Sequence, residues 1–396
     1  DATLGWWPGS YAVSHDLYFG TTSPPALVGN TTEFSFAPEA LVAETTYYWR
    51  VDAVEADGTI RTGDIWTFAT VLDIPVTDPN LLVWWTFDED AGDVVIDHSG
   101  HSRYGAVNGT TWVADGKVGG AMDFSGGGDD VVDDDAGYLN GLSAITFAAW
   151  IKSDVTNTDK GFIICEDPEG NDSHDMRYDK AGATAGGTDL LKMAVTSTGG
   201  EQQIESSSGL QTTEWQHCAM VWSSGEQLKF YVNGVLDTPM ANSTATTGTT
   251  TGYTKLIAGK GKDGNSSAGW DGLIDDLRVY DIALSENEVR ALAGLAPIMV
   301  ARSPDPADGA TDVPRAAALS WQPAASAVSH NVYLSTDQQA VIDSTALIGN
   351  QAETSYTPAE QLAKGATYYW RIDEVEADGT THTGDLWSFT VTSIGR

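Results

Sequence analysis

Residues 47–68, YYWRVDAVEADGTIRTGDIWTF, return almost unchanged as residues 368–389, YYWRIDEVEADGTTHTGDLWSF. A duplication of this length means that one small folding unit is present twice, with the middle of the chain between the copies. The match extends upstream, with Ala12-Val13-Ser14-His15-Asp16-Leu17-Tyr18 set against Ala327-Val328-Ser329-His330-Asn331-Val332-Tyr333. In each copy, alternating Tyr-Trp-Val/Ile runs are cut by Asp-Gly turns every ~8–12 residues, the spacing of short antiparallel strands in a two-sheet sandwich. Alternation places Trp49 and Trp370 in the two cores and turns Arg50, Asp52, Arg371 and Asp373 outward.

The copies resemble bacterial fibronectin type III domains, particularly those ending in YYWRVD…ADG…GD.W.F. They differ at their starts. The second opens with Arg302-Ser303-Pro304-Asp305-Pro306-Ala307-Asp308-Gly309-Ala310 and Val313-Pro314, a leading strand in the family. The first enters the pattern at the equivalent of residue 316, about fifteen residues late, which leaves an edge strand unfilled. Either preceding sequence was removed, or another chain supplies the strand by β-augmentation.

Between the copies, Leu72 to Asn80 (LDIPVTDPN) reads as a Pro- and Asp-marked linker, and residues 81–295 as a separate domain. The stretch Thr213 to Asp237 is its clearest part. Trp215, His217, Ala219 and Val221 alternate with Gln216, Cys218, Met220 and Trp222, which describes a strand covered on both faces. Asn233-Gly234 then closes a hairpin, because both central residues of a type I′ turn need positive φ. One helix is predicted at Ser285–Ala293, with Ser285 as N-cap and Glu288 completing a capping box. The expected organisation is all-β: 1–71, a 72–80 linker, 81–295 and 296–396.

The series LLVWWTFDEDAGDVVIDHSGHSRYGAVNG, VGGAMDFSGGGDDVV, ITFAAWIKS and WDGLIDDLRVYDIALSENEV resembles the laminin G-like jelly rolls of the concanavalin A-like superfamily. That resemblance implies a structural calcium held by Asp275 with Asp88 and Asp97. It also implies glycan binding. Trp84, Trp85, Trp112, Trp222 and Trp270 are candidates for stacking on sugar rings, but most of them belong to the core, since alternation turns at least one of each adjacent pair inward. Independently of it, Asp275 lies in the strand Leu273 to Tyr280 and, by strict alternation, shares a face with Leu273, Leu277 and Val279. A carboxylate on an apolar face costs several kcal/mol unless it is paired or metal-bound. Dispersed oxygen ligands suit calcium, and an Asp satisfied by backbone N–H groups is the alternative.

Charge narrows the partners. Fifty-six acidic residues face 20 basic ones, a net charge of −36. Nucleic acid and anionic lipid are excluded, since phosphate binding needs clustered Lys and Arg. No apolar run reaches the ~18 residues of a membrane span. Sequons at Asn30, Asn108, Asn171, Asn242 and Asn265 point to an extracellular glycoprotein. Cys165 and Cys218 sit in apolar strand-like runs, and both a buried disulfide and two buried thiols are open.

Catalytic signatures are lacking. No Glu-x-Asp-x-x-Glu strand, Gly-x-Ser-x-Gly elbow, phosphate-cradling loop or HExxH helix occurs. His98 and His101 have no identifiable third zinc ligand. Asp133-Asp134-Asp135, and the group Asp167, Asp172, Asp175 with Asp263, read as solvated turns. The expected protein is therefore a non-catalytic extracellular adhesion or structural segment, pairing with copies of itself or neighbouring domains through the unfilled strand. A carbohydrate-binding module of a larger protein is the alternative.

Overall fold

The computed structural model describes residues 3–39, 41–43, 45–70, 74–182, 186–239, 241–261, 266–324 and 326–393. The chain is built of strands, with short helices at Glu286–Leu292 and Gln338–Ile342. It divides into two compact units: Asp1–Gln216 with Trp222–Leu228 and Pro239–Ile282, and His217–Val221 with Lys229–Thr238 and Ala283–Arg396. Part of the central hairpin belongs with the residues that follow 282.

In the first unit two sheets pack face to face. One is nine-stranded and runs, from one edge, Ala241–Asn242, Gly200–Glu205, Thr188–Ser197, Asp172–Ala181, Lys160–Glu166, Lys255–Ala258, Asp130–Asp133, Gly105–Asn108 and Val94–Val95. The other brings Thr111–Val113, Ala121–Ser125, Asp271–Tyr280 and Ala144–Ser153 side by side, with Leu81–Trp85 on Asp271–Tyr280. Side chains from both sheets fill the layer between them. Phe147 stacks on His174 at 3.9 Å, and Trp270 meets Phe162 and Tyr178 edge-on. His174 is fully buried there, and burial pushes its pKa down to about 3, so it stays neutral.

The same unit holds the first repeat copy. Leu27–Thr31, Ala12–Gly20 and Thr46–Glu55 form a sheet with Ile60–Arg61 and Trp66–Ala69, and Leu4–Gly5 pairs Ser35–Phe36. The second unit holds the second copy, whose larger sheet runs Ala310–Val313, Trp387–Val391, Thr367–Glu376, Ala327–Ser335, Leu347–Gln351. Trp370 is fully buried as expected, whereas Trp49 is half-buried.

The outward placement of Arg50, Asp52, Arg371 and Asp373 does not hold. Asp52, Arg371 and Asp373 are buried, and Arg50 is half-buried. The cause is the loop that follows each strand. Gly63 and Gly384 press so close that an added Cβ would sit 2.2 Å from the Val51 carbonyl oxygen and 2.0 Å from that of Ile372. Their N–H groups donate to Asp52 and Asp373, both at 3.0 Å. Each Asp also pairs with its Arg, whose guanidinium lies 4.0 Å over Tyr18 or 4.5 Å over Tyr333. A loop clamped on the strand converts the solvent face into a second, ionic core.

The hairpin is as the sequence reads. All of Gln216–Trp222 is buried, and Cys218 pairs with Val232. Asn233 (φ 49°) and Gly234 (φ 73°) make the turn. A Cβ on Gly234 would lie 3.0 Å from the Ala293 Cβ and 3.2 Å from the Arg290 Cα. Gly234→Ala is therefore expected to lower stability by about 1–3 kcal/mol, read as a fall in Tm. The helix Glu286–Leu292 carries the expected capping box, Ser285 accepting from the Glu288 N–H and Glu288 from that of Ser285. Cys165 and Cys218 are both buried free thiols, so of the two states left open the structure has the unbonded one.

Candidate functional site

The three proposed calcium residues fall into two places. Asp97 is buried, and donors surround it: the N–H groups of Trp84 (2.9 Å) and Ser99 (3.0 Å) reach Oδ1, and the Ser99 hydroxyl (2.7 Å) and Arg103 N–H (3.0 Å) reach Oδ2. A carboxylate holding four hydrogen-bond donors has no lone pair left for a cation, so Asp97 does not fit the set.

Asp275 lies elsewhere, and not on the face that strict alternation gives it. A β-bulge interrupts its strand, with Asp276 at φ 50° and the pairing slipping between Ala148 and Trp150. The extra residue reverses the side-chain alternation. Ile274, Leu277 and Val279 consequently share the core face, while Asp275 shares the opposite one with Leu273, Trp150 and Lys152. The loop 115–120 covers it there. Lys117 and Val118 donate their N–H groups to Asp275 Oδ2 at 2.7 and 2.8 Å, and the Lys117 ammonium sits 4.5 Å over the Trp150 ring. Gly120 N–H donates to Asp88 Oδ1 at 2.6 Å on the same loop.

Asp275 is fully buried, and its Oδ1 has no hydrogen-bond partner. Burial, above all, raises its pKa to about 7, with the charges of Asp276 and Asp88 adding to the rise. An orphaned oxygen beside a second carboxylate is a donor set that a hard cation or a proton would satisfy, so Asp88 and Asp275 fit calcium where Asp97 does not. Among the described residues no group of three or more His, Cys, Asp or Glu could hold a metal, so the remaining ligands would be backbone oxygens or water.

A second polar constellation was missed by the sequence reading, which took Asp167, Asp172 and Asp175 as one loop cluster. Asp167 is indeed a turn residue, accepting from the N–H groups of Glu169 and Asn171. Asp175 instead belongs to the strand Asp172–Ala181, where His174, Met176 and Tyr178 point into the core and Asp175, Arg177 and Asp179 point away from it. Register carries this polar face across neighbouring strands. Arg177 stands opposite Lys192, and Lys192 opposite Glu205; Asp175 stands opposite Ala194, and Ala194 opposite Gln203. Arg177 pairs with Asp175 and, at 3.5 Å, with Asp179; Lys192 lies 3.5 Å from Glu205. At the sheet edge this face opens into a cleft of about 320 Å³ lined by Glu201, Gln203, Glu205, Ala241, Asn242 and Ser243. Paired charges fix the walls, and amide, hydroxyl and carboxylate groups at the mouth can both donate and accept. The signal was legible as the alternate charges Asp175, Arg177 and Asp179 within DSHDMRYDK.

Most of the candidate stacking tryptophans are core residues, as alternation implies. Trp85, Trp222 and Trp270 are fully buried, and Trp84 and Trp112 are half-buried, with their ring N–H groups given to Asp276 and the Gly92 carbonyl. Among the sequons, Asn30, Asn108 and Asn171 are exposed, Asn242 lines the cleft with its amide donated to the Leu228 carbonyl, and Asn265 lies outside the described residues. Asp133 accepts from Tyr138, and Asp134 pairs with Lys255 at 2.8 Å, so this acidic run is a satisfied turn. His98 packs edge-on against Trp84.

Residues 125–290 match the family model for the concanavalin A-like lectin/glucanases superfamily. No curated protein matches the chain. Among solved structures, the binding domain of Paraclostridial mosquitocidal protein 1 aligns at 12% identity and a TM-score of 0.43, covering 75% of this chain and 64% of that one. The chain thus spans less than two thirds of that domain. The binding domain of botulinum neurotoxin serotype D/C VPI 5993 aligns at 12% identity and a TM-score of 0.41, covering 77% and 73%. A SAP-like pentraxin from Limulus polyphemus aligns at 18% and 0.32, covering 41% and 75%. At these scores none of the three bears on the site.

Proposed function

We propose that this chain is a non-catalytic binding segment of a secreted or surface protein, and that its lectin-superfamily region takes a neutral glycan at the cleft of Glu201, Gln203, Glu205 and Ser243. The observation that carries the reading is the polar face itself. Charged side chains buried in pairs hold uncharged donors and acceptors at a sheet edge, the arrangement that recognises vicinal hydroxyls. Four carboxylates, Asp175, Asp179, Glu201 and Glu205, against Arg177 and Lys192 disfavour an anionic ligand. The membership of residues 125–290 in a lectin and glucanase superfamily supports the class, and no described helix is long and apolar enough to cross a membrane.

Calcium at Asp88 and Asp275 is part of the proposal. It would neutralise the orphaned carboxylate and fasten the loop 115–120, a structural role on the far face of the neighbouring sheet. The test of the ligand class is a panel of immobilised oligosaccharides. Saturable binding to neutral members, with sialylated and sulfated ones silent, is expected. Preference for the anionic members would sink the reading.

A further inference from the structure

In the cleft at the edge of the nine-stranded sheet, the direction of one hydrogen bond is set before any ligand arrives. Gly200–Glu205 and Ala241–Asn242 pair antiparallel, with Ile204 opposite Asn242 and Glu205 opposite Ala241. One step further along, Ser243 takes up the main chain of Gln203. Its N–H donates to the Gln203 carbonyl at 2.9 Å, and its hydroxyl oxygen accepts the Gln203 N–H at 2.8 Å. What Gln203 offers to a ligand is therefore its side chain.

Residues 201, 203 and 205 share one face of their strand, opposite Thr196, Ala194 and Lys192. Glu205 is buried and turned to Lys192 at 3.5 Å. The Asn242 amide nitrogen is given to the Leu228 carbonyl at 2.8 Å, and its Oδ1 is buried. Glu201 is exposed and Gln203 half-buried, and the Gln203 amide nitrogen donates to the Glu201 carboxylate. That bond decides which end of the amide is left for a ligand. A carboxylate can only accept, so the flipped amide would set oxygen against oxygen. Nε2 is held by Glu201, and Oε1 is the end without a protein partner among the described residues.

Resting on the glycan reading of this cleft, we propose that Gln203 determines its specificity and that Glu201 is the positioning residue that orients it. Oε1 of Gln203 takes the hydrogen of an unsubstituted sugar hydroxyl, and a group there that accepts but does not donate is rejected. The reason is the cost of an acceptor left unpaired where the sugar has excluded water. An ether, an ester or a fluorine at that carbon is excluded for the same reason.

The test uses the full chain with the methyl glycosides and disaccharides of glucose, galactose and mannose. Each is paired with analogues in which fluorine, which cannot donate, replaces one hydroxyl at a time. For the sugar that binds, fluorine at one position should weaken binding at least tenfold, read by competition in ligand-observed NMR. In Glu201→Ala the amide turns freely, so the parent sugar should bind about threefold more weakly and the penalty for fluorine should shrink to about threefold. Glu201→Gln, whose amide oxygen still accepts from Gln203, should restore the full penalty. Equal weakening of parent and fluorinated sugars in Glu201→Ala would give Glu201 a merely structural role and overturn the positioning. Fluorinated sugars that all bind as tightly as their parents would overturn the proposal and leave the glycan reading standing. Binding by none of these sugars would overturn both.

Discussion

Asp97→Ala should be among the most damaging single changes in the two-sheet sandwich, costing about 3–5 kcal/mol by urea denaturation. The mutation removes one acceptor and strands the N–H groups of Trp84, Ser99 and Arg103, while the Ser99 hydroxyl keeps the Leu82 carbonyl at 3.0 Å. Each stranded donor costs about 1–3 kcal/mol where water cannot reach it, and partial relaxation keeps the total below the sum. Asp97→Asn keeps one oxygen for the Trp84 and Ser99 N–H groups but turns an NH₂ toward the Arg103 N–H, so a loss of about 1–2 kcal/mol is expected. Neither loss should change with calcium. A calcium-dependent loss would put Asp97 back among metal ligands.

Asp275→Asn should act in the opposite direction, its stability relative to the parent rising between about pH 4 and pH 7. The native pKa of about 7 lies above the ~3.9 of an unfolded Asp. Between those values the native state binds more protons than the unfolded state. Stability is therefore fully supported near pH 4, falls as pH rises, and reaches its lowest contribution above pH 7, a span on the order of 3–4 kcal/mol at most. The Asn variant should flatten this slope and equal or exceed the parent at pH 8. Calcium should replace the proton, raising the parent's Tm at pH 8 in chelator-treated protein and leaving Asp275→Asn unmoved. Equal calcium shifts in both proteins would move the cation away from Asp275.

These contrasts show where the sequence was readable. Repeats, turns and caps obey local rules: Asn233-Gly234 needs only its own φ angles, and Ser285 with Glu288 needs only one helical turn. Burial by a distant loop does not. Arg50 and Asp52 alternate as surface residues should, and Gly63 closes over them. Asp275 was located as a buried carboxylate, but its face depends on one inserted residue at Asp276, which a strict two-residue period cannot register. The polar cleft needed register as well. Arg177, Lys192 and Glu205 meet because three strands align them, and nothing local joins them.

The most direct measurement on the central claim is calorimetric titration of the tightest neutral oligosaccharide into the parent, Gln203→Ala, Glu201→Ala and Trp7→Ala proteins. Gln203 and Glu201 sit at the cleft mouth without a buried charge partner, so their replacement should leave Tm unchanged. At least tenfold weaker binding is expected for Gln203→Ala, a smaller loss for Glu201→Ala, and none for Trp7→Ala. Binding untouched by the cleft variants and lost with Trp7→Ala would place the glycan on the exposed aromatics of the first copy and contradict it.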